Sequence, residues 1–130
     1  MNEMKFSGSE RRKAKRLRVN LSILFRLDQS SKVRMFVEEK EIRATMVDLS
    51  ETGLALLTNV DMPDHALLAM KFTLFRVEPD DVSFYGPIEI VGEVRYRQQL
   101  TPQEFRVGIV FSRIEDADRQ EIGQFVKATG

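Results

Sequence analysis

From Leu17 to Leu27 the side chains alternate. Leu17, Val19, Leu21, Ile23, Phe25 and Leu27 are apolar, and the residues between them are polar except Leu24. A period of two sustained this long commits the segment to a strand with one buried face, because successive side chains of a pleated backbone point to opposite sides. The pattern returns along the chain. Ile42 to Val47 and Leu54 to Leu57 read as strands, and Leu68, Met70, Phe72 and Leu74 alternate. Ile88, Ile90, Val94 and Tyr96 share one face, and Phe105, Val107, Ile109 and Phe111 form a last strand. Val33 to Val37 adds a short candidate, and Gly92 falls where a bulge or bend is expected.

Turn signals separate these runs. Asp28 to Ser31 is a turn and Glu38 to Glu41 a charged connection. Asp48-Leu49-Ser50-Glu51-Thr52-Gly53 is a tight turn, since Asp and Ser bond nearby backbone donors and Gly accepts positive φ. Asn59 to His65 is loop. Glu78 to Gly86, with Pro79 and Asp80-Asp81, reads as a longer connection, and Gln98 to Gln103 turns the chain. Near Glu115 the period changes: Ile122, Phe125 and Val126 stand at i, i+3 and i+4, acidic residues come early and Lys127 late. That predicts an amphipathic helix of about three turns in the charge order its dipole favours. Gly123 weakens it by up to roughly 1 kcal/mol, so the helix depends on docking. Six or seven short strands and one terminal helix predict the all-β class, a small antiparallel barrel with one C-terminal α-helix. With 130 residues there is room for one domain, over residues 10–130, behind a flexible lead-in at 1–9.

Composition narrows the chemistry. The chain has no cysteine, which excludes disulfides, thiolate nucleophiles and Cys-held zinc or iron–sulfur clusters. His65 is the one histidine, and no nucleophile–base pair or metal-ligand cluster can be assembled, so catalysis is not expected. No apolar run approaches the ~20 residues of a membrane-spanning helix, and the basic start lacks the apolar stretch of a secretory signal. A cytoplasmic setting follows as the expectation. The formal net charge of zero hides an asymmetry: residues 1–20 hold seven basic and two acidic side chains, a net +5, and the remainder carries −5. A basic arm on a neutral chain suggests a local anion site, not a coat for nucleic acid.

Two motifs carry chemistry. Arg11-Arg12-Lys13-Ala14-Lys15-Arg16 precedes the first strand. A basic run is ordinarily a solvated tail, but arginine also presents bidentate donors to phosphate and stacks its guanidinium on a base. The second is Asp48-x-Ser50-x-x-Gly53, alone an ordinary turn. An ionised carboxylate there accepts two hydrogen bonds, matching the adjacent donors on the Watson–Crick edge of guanine. Ser50 adds a hydroxyl, and Gly53 lets backbone come close to a ligand. Elsewhere, His65 reads as an exposed loop residue. Arg95 and Arg97 alternate outward on a solvated sheet face, with Arg95 able to border a ligand, and the six methionines form no helical stripe.

Taken in order, RxxxR at 12–16 and DxSxxG at 48–53 followed by Leu-Ala-Leu resemble the PilZ domain family. Arg106-Val107-Gly108-Ile109-Val110-Phe111 is similar to the family's late GxxF strand, and the acidic start of the last helix fits its C-terminal helix. The resemblance runs from about Glu10 to the end and implies a six-stranded barrel that acts as a bacterial receptor for cyclic-di-GMP. It implies that Arg12 and Arg16 bind phosphates and stack on guanine, that Asp48 and Ser50 read a guanine, and that Gly53 holds the loop close. A basic residue at Arg11 goes, in that family, with an intercalated pair of ligands, hence two cyclic-di-GMP molecules per chain. The departure is the extra charged region between Leu27 and Ile42. The expected function is therefore a receptor whose basic arm orders on the ligand and signals to an unidentified effector protein. The alternatives are a nucleic-acid-binding module using that arm and an interaction domain without ligand. The −5 remainder and the lack of an aromatic stripe near the arginines weigh against nucleic acid. Intact motifs weigh against a domain that has lost its ligand.

Overall fold

The structure is a computed structural model that describes residues 15–35 and 40–129. Among these, the strands are β1 (Leu17–Leu27), β2 (Ile42–Leu49), β3 (Gly53–Thr58), β4 (Leu67–Glu78), β5 (Asp81–Thr101) and β6 (Glu104–Arg113), followed by one helix, α1 (Asp116–Thr129). Every strand pair is antiparallel, and the order β1-β2-β3-β6-β5-β4 closes on itself because β1 also pairs with β4, from Leu24 opposite Lys71 to Leu27 opposite Leu68. Closure pairs both edges of the sheet within the barrel, and only the β4–β5 hairpin extends beyond it among the described residues. The all-β barrel with a C-terminal helix read from the periodicity is the observed fold.

The alternating apolar residues fill the barrel: Phe25, Met46, Leu54, Leu56, Leu68 and Ile88 are each fully buried. Burial of one such side chain contributes roughly 1.5–3 kcal/mol, which makes the interior the main source of stability. Ile122, Phe125 and Val126 of α1 join the same core, so the helix docks as its stripe predicts. Two polar ties fix its first half. The Tyr85 hydroxyl donates to Asp118 Oδ1 at 2.8 Å, and Arg119 Nη1 donates to the carbonyl of Glu51 at 2.8 Å. Because the neutral phenol is the donor, the bond to Asp118 raises the Tyr85 pKa above its ordinary value, and burial adds to this.

Three readings of the sequence are corrected. Val33 to Met35 form no strand. Val33 and Met35 instead pack partly buried against the core, held by Ser31, whose hydroxyl donates to the Val33 carbonyl at 2.7 Å and accepts from Leu67 N at 3.1 Å. The rest of that candidate strand, Phe36 and Val37, lies outside the described residues. Glu78 to Gly86 is not a long connection. β4 and β5 run on into a hairpin with Val77 opposite Val82 and Glu78 opposite Asp81, leaving Pro79-Asp80 as a two-residue turn. The third concerns Tyr96. The irregularity expected at Gly92 is present in the pairing, but its extra residue is Ser112 on β6, so β5 keeps its alternation there; a further register shift between Val94 and Tyr96 skips Arg95 and turns β5 over. A one-residue slip exchanges the two faces. Tyr96 thus leaves the inward face of Ile88, Ile90 and Val94 and stands 45% exposed outside the barrel, while Arg97 reaches Asp61 Oδ1 at 2.7 Å.

Candidate functional site

Asp48 is the residue around which the site is built. It lies within β2, not in the turn after it, and a register shift between Met46 and Asp48 sets its side chain on the outer surface. Arg18 of β1 is its partner on one side and Ala55 of β3 on the other. Arg16, two residues before that Arg18 pairing, is thereby delivered to the carboxylate: its Nε stands 3.2 Å from Asp48 Oδ2. Arg106 Nη2 approaches the same oxygen at 3.5 Å. Both cations address one oxygen. The other, Oδ1, is buried and has no hydrogen-bond partner among the described residues.

A half-exposed ion pair is worth at most about 1 kcal/mol, so this cluster is poorly explained as a stability device. An orphaned buried acceptor costs about 1–3 kcal/mol, which a ligand donor arriving at Oδ1 removes. Two guanidinium groups beside it make the same place attractive to phosphate.

The turn after Asp48 is rigidly made. Ser50 is fully buried; its backbone N–H donates to the Gly53 carbonyl at 2.9 Å, and its hydroxyl accepts from Thr52 N at 3.2 Å. Gly53 is needed for close approach and not, as the turn pattern suggested, for positive φ. A Cβ there would stand 2.3 Å from the Ile109 carbonyl oxygen of β6. The helix braces this turn through Arg119 and through Gly123, where a Cβ would press on the Glu51 side chain at 3.0 Å.

Of the residues expected from the sequence, Arg16 and Asp48 are brought into contact, and Ser50 and Gly53 shape the adjoining turn. Arg11 and Arg12 lie outside the described residues. Arg106 was missed as a site residue, although the alternation of the last strand already sets it on the face opposite Val107 and Ile109. His65 is exposed, as read, and its Nδ1 stands 2.7 Å from Glu93 Oε2. A groove of about 690 Å³ lies elsewhere, lined by Arg26, Asp28, Lys71 and Arg113 among others. Four of its charges are committed to one another, Lys71 with Glu41 at 3.6 Å and Arg113 with Asp28 at 3.1 Å, so size alone does not make it the site. No described helix is long and apolar enough to cross a membrane.

Comparison with protein families matches residues 10–128, both motifs included, to the PilZ domain. The chain belongs to the PilZ family. Among solved structures, the inhibitor of motility MotI/DgrA of Bacillus subtilis superposes with a TM-score of 0.67 at 17% identity, over 91% of this chain and 50% of that one. This chain therefore spans half the length of that relative. The PilZ domain of YcgR from Escherichia coli, solved with c-di-GMP, superposes with a TM-score of 0.57 at 11% identity, covering 91% of this chain and 90% of that one. At such identities the likeness concerns the fold. No curated protein matches the chain.

Proposed function

We propose that this PilZ domain is a receptor for cyclic-di-GMP that works by binding and not by catalysis. The observation that carries the reading is the Asp48 carboxylate: one oxygen is held by Arg16 and Arg106, and the other is buried and without a partner among the described residues. Oδ1 is the acceptor a guanine Watson–Crick edge requires, and the Arg16 N–H groups not spent on Asp48 meet phosphate or a base face. The c-di-GMP-bound YcgR domain shares the fold, which supports the same ligand class here. Arg11 and Arg12 supply further cations, and with them the site takes two ligands per chain. Ordering of the basic arm on the ligand is then the output, read in the cytoplasm by an effector protein. That one solved neighbour is an inhibitor of motility supports an output through another molecule.

Calorimetric titration with cyclic-di-GMP and cyclic-di-AMP tests this. The parent should bind two cyclic-di-GMP molecules and discriminate against the adenine analogue. Arg16→Ala should weaken binding about tenfold or more, since charge-assisted contacts are worth ~1.5–3 kcal/mol. Asp48→Asn should lose discrimination, because its amide sets a donor against guanine's donors. Arg11→Leu should shift the ratio toward one. A parent that binds neither dinucleotide sinks the receptor reading; unchanged behaviour of Arg16→Ala and Asp48→Asn sinks the site; a parent ratio of one sinks the paired ligand.

A further inference from the structure

Where it runs past the barrel, the β4–β5 hairpin carries an apolar strip on its outer side. Phe75 and Val77 of β4 pair across the ladder with Phe84 and Val82 of β5, and all four side chains are exposed. A two-stranded ribbon is marginal by itself, and strands that leave a sheet are ordinarily protected by charge along their length. Here the charge is gathered at the end: Glu78, Asp80 and Asp81 form the tip, all exposed. Where the strip approaches α1, a cleft of about 140 Å³ opens, lined by Phe75, Phe84, Tyr85, Glu121 and Phe125 among others. A space of that size admits a group as large as benzene. The hairpin is also tied to the turn beside Asp48. Tyr85 bonds to Asp118 of α1, and the next residue, Arg119, bonds to the Glu51 carbonyl.

Area and charge select what covers the strip. Its four side chains expose roughly 400 Å². A stable standard interface takes about 800 Å² from each partner, so a permanent dimer through this strip is undersized. Charge opposes a second copy as well. Antiparallel contact about the Phe75–Phe84 pair sets each tip over the Lys71–Glu89 pair of the other copy, where Glu41 already holds Lys71 at 3.6 Å, and parallel contact sets tip on tip. Three carboxylates leading the hairpin likewise repel an anionic lipid surface. The same carboxylates, with Glu121 in the cleft, attract lysine and arginine. Along each strand the apolar residues repeat every second position, about 6.6 Å, which is the repeat of one face of an extended chain. We propose, resting on the receptor reading above for the existence of an effector, that this strip is the surface on which the effector docks. Its occupant is an extended protein segment with apolar side chains at alternate positions and lysine or arginine at its ends, one end over the acidic tip and the other beside Glu121.

The test uses the full chain and a labelled peptide of that pattern, Lys-Lys-Leu-Thr-Leu-Thr-Leu-Lys-Lys, with binding read by fluorescence anisotropy. The parent should bind it, and bind at least about tenfold more weakly the versions with serine for leucine or glutamate for lysine. Val82→Ser with Phe84→Ser, and separately Asp80→Lys with Asp81→Lys, should each weaken binding about tenfold or more. Both pairs should keep the parent's melting temperature and its titration with cyclic-di-GMP. No binding of the peptide overturns the proposal, and binding indifferent to the serine pair overturns it in favour of diffuse charge attraction. Loss of cyclic-di-GMP binding in the serine pair overturns it too, since the strip would then belong to the ligand site. Self-association in sedimentation that Phe84→Ser abolishes assigns the strip to a second copy instead. Flotation with phosphatidylglycerol vesicles that the same variant abolishes assigns it to lipid. A parent that binds the peptide but no cyclic-di-GMP overturns the receptor reading and leaves the strip a docking surface.

Discussion

The outer surface around Asp48 and the outer surface of the β4–β5 hairpin are made by the same antiparallel ladder, yet they are opposites. Around Asp48 the outward residues are charged or small, and nearly every one touches another: Arg16 and Arg106 meet the carboxylate, and the Tyr96 ring covers Gly108. On the hairpin the outward residues are Phe75, Val77, Val82 and Phe84, at 43%, 74%, 45% and 72% exposure. They form cross-strand pairs, Phe75 with Phe84 and Val77 with Val82, the two rings 6.4 Å apart between centroids. The other side of the hairpin carries Arg76 and Tyr85, and Tyr85 reaches α1. The comparison teaches that alternation fixes which side chains share a face but not what that face meets. Near Asp48 the face is closed by neighbours; on the hairpin the strands have run past the barrel and their apolar side has no interior to enter.

Three measurements sharpen or break this contrast. The largest effect is expected at Phe125, 7% exposed, a core residue of the helix α1 that braces the Asp48 turn. Phe125→Ala should cost about 3–5 kcal/mol in denaturant unfolding. A variant as stable as the parent would mean that α1 does not hold that region at all.

A smaller, pH-dependent effect belongs to Asp28, at the end of β1 and remote from the hairpin tip. The Ser30 hydroxyl bonded to its carboxylate, with the Ser30 backbone N–H and the Arg113 and Arg26 cations, lowers its pKa below the ordinary value, against an opposing push from burial. A carboxylate with a depressed folded pKa contributes stability above its unfolded pKa and loses it as pH falls through the folded value. Asp28→Asn should therefore be less stable than the parent at neutral pH, with the gap closing below about pH 4. A gap constant from pH 7 to 3 removes this carboxylate from the acid response.

The smallest change is expected on the hairpin. Phe84→Ser should alter stability by less than about 0.5–1 kcal/mol, because the ring is already mostly in water. A loss comparable to that of Phe125→Ala would show the two regions to be energetically alike and would break the comparison.

Much of the fold was legible from local pattern. A strand or an amphipathic helix is written in the spacing of adjacent apolar residues, so the stripe of Ile122, Phe125 and Val126 predicted its own burial. The hairpin was misread because Pro79 and Asp80-Asp81 signal a break, whereas the cross-strand pairing of Val77 and Val82 carries the strands up to it. The motif residues Arg16 and Asp48 were legible as chemistry. Arg106 was not, because its relation to Asp48 exists only once β3 pairs with β6.

The sequence by itself determined the class of the fold, the acidic and basic groups available to the site, and the chemistry they permit, since side-chain periodicity and functional-group chemistry are local properties. Tertiary structure decided the rest. The non-local pairing of β6 with β3 brought Arg106 to Asp48. Two register shifts, one before Asp48 and one after Val94, selected the face on which the carboxylate and the tyrosine ring stand. A bulge changes the face of every residue beyond it, and its position is set by how two strands fit each other, which no single strand's sequence contains.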